Sequence, residues 1–117
     1  GEASKFGYGA AGWEHDAALR AALLDEIDKV IDLPGLKVSG LMTMAPIAED
    51  PEDVRPVFAS LRGLRDLLRE EFPHLTFPHL SMGMTADYQV AVEEGATLVR
   101  IGRAIFGSRT VLRSRLL

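Results

Sequence analysis

The chain contains no cysteine, which excludes structural disulfides, thiolate zinc sites and catalysis by a thiol. It also lacks any apolar run near the roughly 18 residues that a transmembrane helix requires. A basic excess is missing too, since the net charge is -4, and this argues against a nucleic-acid-binding surface. We therefore expect a soluble cytoplasmic protein with neither a membrane nor a nucleic acid as partner.

What remains is the composition of one ordinary globular domain, with 117 residues, 47% of them hydrophobic and 26% charged. Apolar residues at helical spacing predict helices over 14–31, 51–72 and 86–94, with a last helix starting in 108–117. Asp50 and Pro51 are typical of an N-cap and a first helical position, and Thr85 is the expected cap of the third helix.

Between the helices, three short apolar segments predict strands over 36–44, 76–82 and 97–101. Strands separated by helices pair in parallel through right-handed crossovers, so the fold class is α/β. Three strands are few for a parallel sheet, which needs both faces covered. The pattern therefore resembles part of a larger fold.

Small residues follow two of the predicted strands, in Ser81-Met82-Gly83 and in Gly102-Arg103-Ala104. Ligands of parallel α/β proteins bind at the carboxyl ends of strands, and backbone N–H groups beside a serine hydroxyl suit a phosphate. Each segment alone is more typical of a simple turn than of a binding site. Their neighbouring positions favour a shared anion site.

Arg100 lies between Val99 and Ile101, so the sequence predicts a charged side chain within a buried strand. One interpretation is an internal ion pair. The other is a fixed cation that faces a ligand, with open space above it because Gly102 lies on the same face of the strand. The pairs Met42/Met44 and Met82/Met84 are interpreted as core filling rather than as metal ligands. No metal site is predicted.

The sequence closely resembles the pyridoxal phosphate homeostasis protein family, which is related to the N-terminal barrel of alanine racemase. Three segments carry this resemblance: GEASKFGY, GLMTM and HLSMGMTADYQVAVEEGATLVRIGRAIFG. The resemblance implies a single-domain (β/α)8 barrel that binds pyridoxal 5′-phosphate (PLP). Such proteins are regarded as PLP carriers or regulators of vitamin B6 and amino-acid pools rather than as enzymes with a firm turnover. The alternative is a PLP-dependent amino-acid racemase.

Carried over by position, the resemblance assigns the PLP phosphate to the Ser81 side chain and the Met82 backbone, together with Gly102 and Arg103. Many relatives have threonine in place of Arg103. Arg100 matches the arginine that faces the pyridine nitrogen, and Met42 is a plausible wall of the pocket. An arginine only donates hydrogen bonds, so the nitrogen would stay unprotonated and the ring would be a weak electron sink.

The lysine that binds PLP covalently in this family lies on an early strand, and Lys5, Lys29 and Lys37 are not credible replacements. The resemblance therefore implies that residues 1–117 are the C-terminal half of one barrel domain, with strands six to eight. This predicts the missing N-terminal half-barrel as a partner. It also predicts self-association through exposed sheet edges as a competing possibility.

Overall fold

A computed structural model describes residues 9–102 of the chain. Three parallel strands alternate with three helices, as the sequence predicts. The elements are α1 (Ala17–Ile31), β1 (Gly40–Met42), α2 (Arg55–Glu71), β2 (His79–Met84), α3 (Tyr88–Glu93) and β3 (Leu98–Arg100). The predicted helix over 108–117 lies outside the described residues.

The sheet has the order β1-β2-β3, and both neighbouring pairs are parallel. Met42 of β1 and Leu98 of β3 both lie opposite Ser81 of the central strand. The register between β2 and β3 then shifts, and Met84 lies opposite Arg100. The α/β class with three parallel strands is therefore confirmed, whereas the assignment to strands six to eight of a barrel stays a prediction.

The two long helices begin as capping chemistry dictates, with one correction. The Asp50 side chain accepts a hydrogen bond from the Glu52 N–H (2.9 Å), which confirms it as a cap. The first turn after it, Pro51–Val54, is a 3₁₀ helix that continues into α2. The predicted start at Glu14 is wrong, because Asp16 is extended and caps α1 by accepting from the Leu19 N–H (3.0 Å).

Both β1 and β2 begin later than the sequence predicts. Phe77 has a left-handed backbone (φ 44°), and Pro78 follows it, so β2 starts only at His79 and extends to Met84. Arg69 donates hydrogen bonds to the carbonyls of Thr76 and Phe77 and thereby holds this bend. Extended pairing of β1 likewise covers only three residues of the predicted 36–44.

The predicted cap of α3 is also corrected. The N-cap position belongs to Asp87, not to Thr85, and the Asp87 carboxylate accepts a hydrogen bond from the Met84 N–H (2.7 Å). The Asp87 N–H in turn donates to the Met84 carbonyl (3.0 Å). These two bonds close a tight turn that ends β2 and orients the loop ahead of α3.

The core lies between the helices and one face of the sheet. Its largest fully buried side chains are Phe58, Leu68, Phe77, Leu80 and Met82. Met82 is thus a core residue, as predicted, whereas Met42 is 63% exposed and does not fill the core. Within residues 9–102, no helix is both long and apolar enough to cross a bilayer.

Trp13 connects the segment before α1 to α2 through a hydrogen bond and a ring contact. Its indole N–H donates to the Ser60 hydroxyl (3.0 Å), and its ring lies 3.3 Å from where a Cβ on Gly63 would be. The Ser60 hydroxyl donates to the Glu14 carboxylate and holds the pKa of that carboxyl below its ordinary value. Since Trp13 is the only tryptophan of the chain, its fluorescence reports on this junction.

Candidate functional site

One face of the sheet is left uncovered by the three helices. Side chains alternate along a strand, and Leu80 and Met82 point into the core, so Ser81 points to the opposite side. Its neighbours in register, Met42 and Leu98, are 63% and 52% exposed. We call Met42, Ser81, Leu98 and Arg100 the open face.

Arg100 is not a buried charge, contrary to the sequence-based prediction. It is exposed, and Leu98 on the same face is exposed with it, because no described element packs over this side of β3. The guanidinium Nη2 donates to the carbonyl of Thr43 (3.4 Å), just beyond β1. The side chain therefore extends from β3 across the central strand at the carboxyl ends of the sheet.

Within residues 9–102, the Arg100 guanidinium forms no ion pair with a carboxylate, so the internal ion pair is not seen there. Thr43 was not singled out by the sequence, because its contribution comes from a backbone carbonyl. A carbonyl acceptor orients the guanidinium without neutralising its charge. The cation therefore stays available to an anion or to a hydrogen-bond acceptor.

Ser81 and Met82 contribute differently to this end of the sheet. The Ser81 carbonyl accepts from the Thr43 N–H (3.1 Å), and its half-buried hydroxyl forms no hydrogen bond with any described residue. The Met82 side chain is fully buried on the core side, so only its backbone can contribute to a site on the open face. Ser81 thus offers a hydroxyl donor on the same face as Arg100.

Gly102 is exposed, and among residues 9–102 no atom beyond its chain neighbours lies within 4 Å of where a Cβ would be built. The described residues therefore leave open the space that the sequence predicted above Arg100. Arg103 lies outside the described residues. Six residues were predicted to bind the cofactor. The structure brings three of them, Met42, Ser81 and Arg100, to one face of the sheet. Gly102 follows two residues after Arg100, and the Met82 side chain lies on the core side.

A second concavity lies at the same end of the sheet, between the loops that follow β1 and β2. This cleft of about 450 Å³ is lined by Asp50, Glu52 and Asp87 among others. Arg55 donates to the Glu52 carboxylate and lowers the pKa of that group, so Glu52 stays ionised at neutral pH. The carboxylates that line this cleft would repel a phosphate. The open face is therefore the better candidate for an anion-binding site.

Comparison with known proteins decides the family. The profile of the alanine racemase N-terminal domain matches residues 12–110. The chain belongs to this family. The pyridoxal phosphate homeostasis protein of Aquifex aeolicus is 54% identical over 87 residues, which are 74% of this chain and 38% of that protein. The homeostasis protein of Vibrio alginolyticus is 37% identical over 109 residues, or 93% of this chain and 42% of that protein.

Two solved structures agree with this membership of the alanine racemase N-terminal domain family. PipY of Synechococcus elongatus PCC7942, solved with PLP bound, has a TM-score of 0.63 at 34% identity, covering 69% of this chain and 38% of PipY. The crystal structure of an unknown protein from Bifidobacterium adolescentis has a TM-score of 0.71 at 34% identity, covering 91% of this chain and 39% of that one. This family member thus spans about two fifths of the length of the relatives it matches.

Proposed function

We propose that this chain supplies the phosphate and pyridine contacts of a PLP-binding barrel that acts in PLP homeostasis. The observation that carries the proposal is the position of Arg100, whose guanidinium crosses the carboxyl ends of the strands and is held by a carbonyl rather than by a carboxylate. Support also comes from the PLP bound to PipY and from the names of the curated relatives.

The donors at the open face suit the chemistry of PLP. Ser81 offers a hydroxyl, and Gly102 leaves room for an anion to approach the backbone closely. In this proposal, the Ser81 side chain and the backbones of Met82, Gly102 and Arg103 hold the phosphate. Met42 forms a wall of the pocket, and its 63% exposure leaves it accessible to a ring.

Arg100 is assigned to the pyridine nitrogen. A guanidinium has five N–H donors and no acceptor, so it donates to an unprotonated ring nitrogen and cannot remove a proton from it. When bound, PLP supplies an aldehyde and an electron-withdrawing ring, which is weaker as an electron sink without a proton on the nitrogen. This arrangement favours a carrier or regulator over an enzyme that demands a strong electron sink.

The test is a titration of the chain with PLP, followed by the change in PLP absorbance. Replacing Arg100 with glutamine should weaken binding about 10- to 100-fold, because a hydrogen bond to a charged group contributes roughly 1.5–3 kcal/mol. Ser81→Ala should cost about tenfold or less, since a neutral hydroxyl contributes about 1 kcal/mol. Equal affinity of Arg100→Gln and the parent would refute the assignment.

Arg65→Gln is the matched control, because this arginine lies on α2 and pairs with the adjacent Asp66 (3.2 Å). It removes the same charge at a distance from the open face, so its affinity should equal that of the parent. A similar loss in Arg65→Gln would show that net charge alone attracts PLP.

Covalent attachment is a separate part of the proposal. Lys29 is paired with Asp25 and Glu26 on the outside of α1, Lys37 lies at the amino-terminal side of the sheet, and Lys5 lies outside the described residues. We expect no stoichiometric pyridoxyl adduct on any of them after borohydride reduction and mass spectrometry. One adduct per chain on a single lysine would contradict this expectation.

The alternative function is amino-acid racemisation. It would require exchange of the α-hydrogen of alanine in deuterated water when PLP is present, and NMR spectroscopy measures that exchange directly. We also propose that the remaining half-barrel of the relatives is a partner of this chain, with self-association at the free sheet edges in its absence.

A further inference from the structure

Thr97, directly ahead of β3, bonds to Leu80 of the central strand with both its backbone and its side chain. The Thr97 N–H donates to the Leu80 carbonyl (2.9 Å), and the Leu80 N–H donates to the Thr97 hydroxyl (2.9 Å). His79 and Ser81 bond instead to residues 39 and 43, at the two ends of β1, so the polar groups of Leu80 face β3. A side-chain oxygen therefore takes the place that a strand carbonyl holds in a regular ladder.

The ladder between β2 and β3 is irregular just beyond this point. Leu98 lies opposite Ser81, but Arg100 lies opposite Met84, so three steps along β2 match two steps along β3. Gly83, with a φ of 106°, takes up the additional residue as a bulge. Register is weakly specified in a short ladder of this kind, and the two hydrogen bonds between Thr97 and Leu80 supply the missing constraint.

The position of Arg100 depends on that register, because its partners belong to the other two strands. The guanidinium donates to the carbonyl of Thr43 (3.4 Å), and the Thr43 N–H donates to the carbonyl of Ser81 (3.1 Å). Ser81 directly follows Leu80, so two adjacent residues of β2 align both the arginine and its acceptor. A slip of β3 by one residue would turn Arg100 to the opposite face of the sheet, away from the Ser81 hydroxyl.

We propose that Thr97 is a positioning residue for the PLP site, whose hydroxyl sets the register of β3 and thereby holds Arg100 on the open face beside Ser81. Thr97 does not itself reach the ligand, since it precedes Arg100 by three residues, or about 10 Å of strand. The inference rests on the proposed function, because it concerns the same site. It also concerns the chain without ligand, since the hydroxyl fixes the register whether or not PLP is bound.

The register is tested first without PLP, on the whole chain, by nuclear Overhauser effects between backbone protons. These report which residues of β3 lie opposite Ser81 and Met84. Thr97→Val keeps the shape of the side chain but cannot accept the Leu80 N–H, so the two pairings should be lost or shifted by one residue. The Leu80 amide should also exchange about tenfold faster. Thr97→Ser retains the hydroxyl and should preserve both pairings.

The affinity for PLP is then compared by absorbance titration. An out-of-register population reduces the fraction of molecules that can bind, so Thr97→Val should weaken PLP about fivefold, the effect expected from one neutral hydrogen bond. Thr97→Ser should bind like the parent.

Double variants show the route of this effect. Thr97→Val should weaken PLP by the same factor in a Ser81→Ala chain as in the parent, because Ser81 lies on β2 and does not move with β3. In an Arg100→Gln chain the factor should be smaller, since the contact that depends on the register is already lost. A general loss of stability would act equally in the two chains.

Thr76→Val is the matched control, because Thr76 is exposed and its hydroxyl forms no hydrogen bond within residues 9–102. It removes a hydroxyl ahead of β2 and should change neither the register nor the affinity for PLP. Circular dichroism and Trp13 fluorescence check that each variant is folded. If Thr97→Val is unfolded, Thr97→Ala in a stabilising osmolyte takes its place.

Unchanged pairings in a folded Thr97→Val chain would overturn the inference, whether or not the chain binds PLP. So would a changed register that leaves the affinity for PLP intact while Arg100→Gln weakens it, or an equal effect of Thr97→Val in both double variants. Failure of the proposed function gives a different result. The parent would then not bind PLP, or Arg100→Gln would bind it equally well, while the register still responds to loss of the Thr97 hydroxyl.

Discussion

Gly83 shows at the residue scale how tightly the central strand is packed against α3. Its φ is 106°, a backbone conformation that residues with a side chain rarely adopt. A Cβ built at this position would lie 2.8 Å from the Ala91 Cβ. It would also lie 3.2 Å from the Tyr88 Cα. Backbone strain and overlap act together, so this glycine allows β2 to bulge and α3 to approach.

Replacing Gly83 with alanine should therefore lower the free energy of unfolding by about 2–4 kcal/mol, from backbone strain and overpacking combined. Urea denaturation followed by circular dichroism measures the difference. Gly9→Ala is the matched control, because no described atom beyond its chain neighbours lies within 4 Å of a Cβ at that position. Equal stability of Gly83→Ala and the parent would mean that α3 shifts without cost.

At the scale of elements, two arginines join α2 to the end of α3: Arg62 pairs with Glu94 (3.1 Å), and Arg55 makes the larger set of contacts. Arg55 pairs with Glu52 (2.7 Å), which lies in the 3₁₀ turn ahead of α2. It also pairs with Glu93 and Glu94 at the end of α3, at 2.7 Å for Glu94. Its hydrogen bonds lower the pKa of Glu52 below the ordinary 4.5. A depressed folded-state pKa means that the stabilisation is fully present above pH 4.5 and is lost as the pH falls through the folded value.

Arg55→Gln should consequently lower the melting temperature at pH 7, and the difference from the parent should be smaller at pH 3, because Glu52 gains its proton as the pH falls through its folded-state pKa. Salt should reduce the difference as well, because these groups are partly exposed. Differential scanning calorimetry at both pH values measures the effect. Lys29→Gln removes an exposed cation from α1 alone and should change little. A difference independent of pH would assign the role of Arg55 to packing.

The elements themselves could be predicted from periodicity and capping residues, but their bounds depended on tertiary contacts. Asp50 and Pro51 predicted the start of the second helix, since their effect is local. The later start of β2 could not be predicted, because the left-handed Phe77 is stabilised by Arg69 and by burial in the core. Thr85 and Asp87 are both suitable residues for the N-cap of α3. The hydrogen bond from the Met84 N–H to the Asp87 carboxylate closes the turn that puts Asp87 at this position.

At the scale of the whole molecule, the sequence predicted which residues share a face but not how far that face is covered. Alternation along the strands brings Met42, Ser81 and Arg100 together. The apolar neighbours Val99 and Ile101 suggested that Arg100 was buried. Burial is a property of the layers packed on a sheet, and among residues 9–102 all three helices lie on the other side. The local sequence pattern of a strand does not show which faces of its sheet are covered by other elements.

The open face also predicts how the chain behaves when no partner is present. Met42 and Leu98 expose apolar surface beside two sheet edges that no strand within residues 9–102 pairs with, a combination that promotes pairing between molecules. We expect sedimentation velocity to show self-association that increases with protein concentration. Leu98→Lys should shift the equilibrium toward monomer, since a lysine on an edge strand must be desolvated in any sheet-to-sheet contact.

Leu36→Lys is the matched control for that experiment. Leu36 is 60% exposed, slightly more than Leu98, but it lies in the segment that connects α1 to β1 and away from the open face. If exposed apolar area alone drove association, the two lysine variants would behave alike. A selective effect of Leu98→Lys would identify the open face as the contact, and a monomeric parent chain at all concentrations would contradict the prediction.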